Sequence, residues 1–160
     1  MAPQRATGPM TRHPVRGGGT PKAETFPIIR QVVLDTTDAR GLAEFYRQLF
    51  GLGYRHGDET PPDGQPDPRG RDWLVLRNPN GIPLAFQQVE ELKPTTWPSG
   101  EIPQQLHLDT TVTDVEEFDR QHERALALGA TLLLDRSDDE EEPLRVYADP
   151  QGHTFCIFVG

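Results

Sequence analysis

The chain has 160 residues, enough for one domain that buries roughly two thirds of the surface its unfolded form exposes, and its one cysteine, Cys156, excludes an intrachain disulfide. The net charge is −9, and residues 1–25 hold Arg5, Arg12, Arg16 and Lys22 against Glu24 alone, which leaves the rest with twelve positive and twenty-four negative side chains, net −12. Such an acidic body repels phosphate backbones, which argues against nucleic acid as a partner; no apolar run approaches the about 18 residues of a spanning helix and no secretory signal is visible, so no membrane is expected and the expected location is the cytoplasm.

Residues 1–25 carry almost no large apolar side chains and read Gly17-Gly18-Gly19-Thr20-Pro21 in the middle. They cannot offset their ordering entropy, so a disordered tail is expected ahead of a domain spanning 26–160. Ile28 to Thr36 is rich in β-formers and predicts a strand. Asp38 then stands at a helix N-cap, followed by Leu42, Phe45, Tyr46, Leu49 and Phe50 on one helical stripe, with Gly53 placed to end the helix in a left-handed cap. Three short β-prone runs follow, Tyr54–His56, Trp73–Arg77 and Leu84–Val89, the first two separated by a Pro/Gly/Asp-rich loop over 57–71. The turn Asn78-Pro79-Asn80-Gly81 joins the last two as a hairpin. A linker over 91–103 contains Trp97-Pro98.

The pattern then recurs. A strand from Leu106 to Val112 leads to Asp114 as N-cap, with Glu117 completing a capping box. Val115, Phe118, His122, Ala125 and Leu126 form the helical stripe, and Gly129 ends it. Thr131–Leu134, Leu144–Ala148 and Thr154–Val159 are the three closing strands, with Asp149-Pro150-Gln151-Gly152 as the hairpin turn. Gln31, Thr37, Asp38, Leu52 and Gly53 lie 76 positions before His107, Thr113, Asp114, Leu128 and Gly129, and the first turn lies 71 before the second. The chain is therefore two β-α-β-β-β modules, 28–90 and 104–159. A module covers one sheet face with its helix, so the faces left open can form a shared concave site.

These residues and spacings resemble the vicinal oxygen chelate superfamily, the group of glyoxalase I, extradiol dioxygenases and bleomycin-resistance proteins. The resemblance covers 28–159 and rests on Gln31-Val32-Val33-Leu34 running to Asp38, Leu106-His107-Leu108-Asp109 running to Asp114, Leu128-Gly129-Ala130, and Asp149-Pro150-Gln151-Gly152-His153-Thr154-Phe155-Cys156. The Trp97-Pro98 linker and the Gln105–Asp109 run look closest to actinobacterial glyoxalase-like proteins. The resemblance implies an α+β fold in which two tandem modules, related by a pseudo-two-fold axis, form a cup-shaped mixed sheet. It also implies a homodimer.

The superfamily's metal positions fall on the opening and last strands, which the resemblance places at Gln31, Ala85, His107 and Cys156. Ala85 has no donor atom and Gln31 is a weak ligand, so the set is short of what a stable divalent site needs. In the glyoxalase I reaction the last-strand Glu binds metal and moves a proton, which neither an alanine nor a thiol replaces. No cofactor is therefore expected; the alternative is a Zn, Ni, Fe or Mn ion at an altered site of His107, Gln31 and Cys156, with Gln87 or Asp109 recruited.

Alternation along strands places Gln31, Val33 and Asp35 on one face, with Ala85, Gln87 and Val89, His107, Asp109 and Thr111, and Thr154, Cys156 and Phe158. His107 can serve as ligand anchor or proton shuttle, with Asp109 orienting it or acting as a base, or both can be structural hydrogen-bond partners. Gln31, Asp35, Gln87 and Cys156 are the expected ligand-binding residues of the cup, with Trp97 as an aromatic lid; for Asp35 a turn cap and for Cys156 an apolar filler are the plainer roles. The leading expectation is a metal-independent protein that binds a small molecule in the cup. The alternatives are a lyase, isomerase or dioxygenase with an altered metal site, a metal-free enzyme using His107 and Asp109, and an accessory domain with a vestigial cup.

Overall fold

A computed structural model describes residues 26–160, so the disorder expected of 1–25 lies outside the described residues. Asp38 starts helix α1 (Ala39–Phe50) by accepting the Gly41 amide on its side chain, and Leu42, Ala43, Phe45, Tyr46 and Leu49 are buried along one stripe. The helix stops at Gly51, whose φ of 65° lets its amide return to the Arg47 carbonyl. Gly53, expected in that role, instead opens strand β2 (Gly53–Tyr54). Strands β1 (Val32–Thr36), β3 (Trp73–Arg77) and β4 (Leu84–Gln88) complete a sheet in the order β1-β4-β3-β2, with β1 parallel to β4 and the other pairs antiparallel.

The second module repeats this with strand β5 (Leu108–Val112), helix α2 (Val115–Ala127) and strands β6 (Thr131–Arg136), β7 (Leu144–Ala148) and β8 (Thr154–Val159), in the order β5-β8-β7-β6. Asp114 accepts the Glu117 amide and so starts α2, while the Glu117 carboxylate turns to Gln121. Phe118 and Ala125 carry the buried stripe, Val115 and Leu126 are exposed, and His122 bonds the Tyr147 hydroxyl at 3.0 Å. Gly129 takes the left-handed position expected of it. Both hairpin turns close with the fourth residue's amide on the first residue's carbonyl.

The sequence offsets survive in the strand pairing. Val32 opposes Leu84 and Leu108 opposes Phe155, the same pair shifted by 76 and 71. Both opening strands begin later than the β-prone runs suggested. Val32 is the first residue of β1 with a partner, the Pro83 carbonyl, and a proline has no amide to bond anything earlier. Gln31 and His107 thus stand one residue ahead of their strands, and Phe26, Ile28 and Ile29 are exposed.

One core serves both modules. The Tyr46 ring sits against Phe45, Phe50 and Phe86 of its own module and Phe155 of the other, and its hydroxyl donates to Asp149 Oδ2 at 2.8 Å. Thr37 gives its amide and hydroxyl to Gln151 Oε1, and His153 Nε2 donates to the Asp35 carbonyl at 2.7 Å. The β7–β8 turn is therefore the latch that docks module two on the end of β1. Among the described residues no helix is long and apolar enough to cross a membrane.

Asp58 is fully buried and takes Arg69 and Arg55 on its two oxygens, with the Val75 amide on Oδ2 at 3.0 Å. It stands in for a strand where β2 runs out. Asp58→Ala should therefore cost about 1–3 kcal/mol, chiefly by orphaning the Val75 amide, and urea denaturation of the variant measures it. Burial pushes the Asp149 carboxyl up, against the pull of His153 and of the Tyr46 hydroxyl. An acid raised in the folded state contributes stability below its unfolded midpoint and loses it as pH rises through the folded midpoint, so ionised Asp149 depends on its donors. Tyr46→Phe should push that midpoint further up and cost about 1–3 kcal/mol at pH 7. The loss should shrink at pH values where Asp149 is protonated; equal losses at both would contradict this account.

A candidate cup site

A cavity of about 250 Å³ lies where the open faces of the modules meet the linker. Val33 and Asp35 of β1 line one side, Lys93 to Thr95 and Gln104 to Leu106 cover it, and the turn from Gln151 to Thr154 closes the end. The elements that build it are those the latch holds together.

Beside the cavity, β5 and β8 bring His107, Asp109 and Cys156 into one group whose ligand atoms all lie within 4.8 Å of one another. Asp109 and Cys156 are direct neighbours in the parallel pairing. The thiol donates to Asp109 Oδ1 at 2.6 Å, and His107 Nε2 lies 3.4 Å from the same oxygen. On its other side His107 Nδ1 meets Gln104 Nε2 at 3.2 Å, and the Gln104 carbonyl oxygen accepts from the buried Thr154 hydroxyl. Hydrogen bonds thus join Thr154, Gln104 and His107 on one side and Cys156 and Asp109 on the other, and His107 and Asp109 meet at ion-pair distance between them.

Burial pushes the Cys156 thiol up to about 12, and the Asp109 carboxylate adds to the shift. At neutral pH Cys156 is therefore a thiol that donates a hydrogen bond, and a poor nucleophile. The matching pair in module one is Val33 and Ala85, neighbours in the β1–β4 register. Ala85 is fully buried and Val75 beyond it nearly so. Where module two carries a carboxylate and a thiol, module one carries the methyl groups of an exposed Val33 and a buried Ala85.

The structure thus brings together three of the residues singled out from sequence, His107, Asp109 and Cys156. Asp35 lines the cavity beside them. Gln87 is exposed on β4 opposite Asp35, and Gln31 is half-buried ahead of β1; neither lines the cavity. Trp97 is half-buried with its amide on the Thr95 hydroxyl, and the cavity cover comes from Leu92 to Thr95 of the same linker instead. Gln104, Thr154 and Lys93 were not singled out. Gln104 and Lys93 lie outside any strand, so alternation said nothing of where they point.

A family profile described as "Glyoxalase-like domain" matches residues 31–158. The chain belongs to the glyoxalase-like domain family. Its fold is shared by a glyoxalase/bleomycin resistance protein/dioxygenase family enzyme from Burkholderia phytofirmans, with 20% identity and a TM-score of 0.61 over 82% of this chain and 97% of that one. A fosfomycin resistance protein from Mesorhizobium loti matches with 16% identity and a TM-score of 0.59 over 85% and 94%. A variant of its namesake from Listeria monocytogenes, complexed with Mn(II) and 1S,2S-dihydroxypropylphosphonic acid, matches with 17% identity and a TM-score of 0.61 over 85% and 92%. No curated protein matches the chain.

The four positions that the superfamily uses for its metal do not make a four-donor site in this glyoxalase-like protein, because Ala85 offers only a buried methyl group. The His, Asp and Cys donors that converge lie in module two, and Gln31 of module one is not among them. The thiol gives a direct check on the electrostatics. Against a free cysteine, Cys156 should react with iodoacetamide about three orders of magnitude more slowly at pH 8, on the order of the lost thiolate fraction. Asp109→Asn should speed the reaction by removing the charge that holds the proton. Rapid labelling of the folded wild-type protein would show that the thiol is not held in this way.

Proposed function

We propose that this glyoxalase-like protein, of the actinobacterial type its linker resembles, is a cytoplasmic homodimer that binds a small organic molecule in the cup between its modules without the superfamily's four-ligand metal. The observation that carries the reading is the asymmetry of the two strand pairs, Asp109 with Cys156 against Val33 with Ala85. A metal bridging the modules would find His, Asp and Cys donors on one side and only the weak amide of Gln31 on the other. Beside the cavity, whose cover carries Lys93, Asp109 offers a ligand a hydrogen-bond acceptor. Asp109 Oδ1 takes both the thiol and His107, and the other oxygen stays open on a side chain that is 56% exposed. Neither Asp109 nor Asp35 has a lysine or arginine within ion-pair distance among the described residues. A ligand rich in N–H or O–H donors suits such a surface, and a phosphonate, the class bound by the Listeria neighbour, meets carboxylates.

The test is a thermal-shift screen of metal-free protein with small amines, polyols and aromatic compounds, methylphosphonate serving as the anionic control. A native-state ligand at a hundred times its Kd adds about 2.7 kcal/mol, a readily measured rise in Tm. Donor-bearing compounds should raise the Tm of the wild-type protein and lose most of that effect in Asp109→Asn. A shift with methylphosphonate alone would reverse the proposed preference.

A second reading rests on the convergence of His107, Asp109 and Cys156 within 4.8 Å, a nitrogen, oxygen and sulfur set that a soft divalent ion can use. In that case the site would serve a lyase, isomerase or dioxygenase. Metal analysis of protein purified without chelator separates the two: stoichiometric Zn, Ni, Fe or Mn that disappears in His107→Ala sinks the metal-free reading.

A further inference from the structure

Gln104 is the one side chain that both lines the cavity and bonds the imidazole of His107. In the structure the Thr154 hydroxyl, 1% exposed, donates to Gln104 Oε1, and the amide NH₂ group faces His107 Nδ1 at 3.2 Å. An amide NH₂ only donates, so Nδ1 must accept, and a neutral imidazole then carries its hydrogen on Nε2. Nε2 lies 3.4 Å from Asp109 Oδ1, within ion-pair distance of a group that can only accept. The two hydrogen bonds share one direction of donation, from Thr154 through Gln104 to His107.

We propose that Gln104 is the positioning residue of the cup: anchored on Thr154, it fixes His107 in the Nε2–H tautomer and turns the ring's lone pair away from the strand face. The imidazole then presents a donor to Asp109 and no free ring nitrogen to the cup, so the carboxylate is the group left to receive a ligand. The inference deepens the binding reading above and rests on it for its purpose. Its own claim concerns the ligand-free protein.

The experiment is long-range ¹H–¹⁵N NMR on full-length protein labelled with ¹⁵N-histidine, at a pH where the rings are neutral, with His107 assigned through the loss of its signals in His107→Ala. The wild-type ring should show the Nε2–H pattern. Gln104→Glu replaces a donor with a group that only accepts, so it should convert His107 to the Nδ1–H pattern. Thr154→Val removes the hydroxyl that orients the amide and should give a mixture of the two. A wild-type ring already in the Nδ1–H form would overturn the proposal, as would a Gln104→Glu protein whose amide spectrum is folded and whose His107 tautomer is unchanged. Because the wild-type spectrum decides by itself, a variant that fails to fold does not remove the test. If the tautomer is as stated and no compound shifts the Tm, the positioning role stands and the binding reading fails; if ligands bind and the tautomer is wrong, the reverse holds.

Discussion

The bond from the Tyr46 hydroxyl to Asp149 is the constraint on which the rest of the site depends. Tyr46 belongs to the helix of module one, and its ring packs on Phe86 below it and Phe155 across the seam. Asp149 begins the β7–β8 turn of module two, where its other oxygen accepts the amides of Gln151 and His153. One carboxylate therefore shapes the turn and also ties it to the opposite module. The turn in its bound form points Gln151 and His153 at the end of β1 and sets where β8 begins. Thr154 and Cys156 are the first and third residues of that strand. A buried polar pair is costly to leave half made, so the seam has one favourable register in which the cup is complete.

Arginine placement follows a related logic. Arg40 pairs with Asp67, Arg55 and Arg69 with Asp58, Arg136 with Asp139, and Arg145 lies over the Phe118 ring between Asp119 and Asp135. These cations neutralise carboxylates that pin loops or strand edges. The acids on the cup face receive none of them. In a body of net charge −12 this leaves Lys93 of the linker as the basic side chain at the cavity, facing Asp35 across it without an ion pair among the described residues, which bears on partner choice more than on stability.

How much was legible beforehand follows the physics of each feature. The repeat at 76 and 71 is a statement about which positions correspond between modules, so Ala85 could be matched with Cys156 beforehand, while the pairs Val33–Ala85 and Asp109–Cys156 came with the strand register. Strand ends were less legible, because they depend on where the partner strand has amides to give; Pro83 shortened β1 at a point that its own β-formers do not mark. The left-handed cap fell on Gly51 where two glycines competed, since helix length is set by packing against the sheet. Gln104 was illegible for a different reason. Its position comes from the linker's path across the cup, a tertiary result with no period to read.

The two halves use one backbone for different ends. At corresponding positions module one carries methyl-bearing residues, Val33 exposed to the cavity and Ala85 fully buried between Val33 and Val75 in the sheet. In module two the same positions hold a carboxylate and a thiol that must satisfy each other, and the thiol loses its acidity in doing so. A symmetric cup lined by acids on both sides would need a cation at its centre to offset the repulsion. With Val33 and Ala85 at the matching positions, Asp109 and Cys156 meet no second such pair on module one, which makes the burial of Ala85 as much a part of the site's chemistry as the side chains of module two.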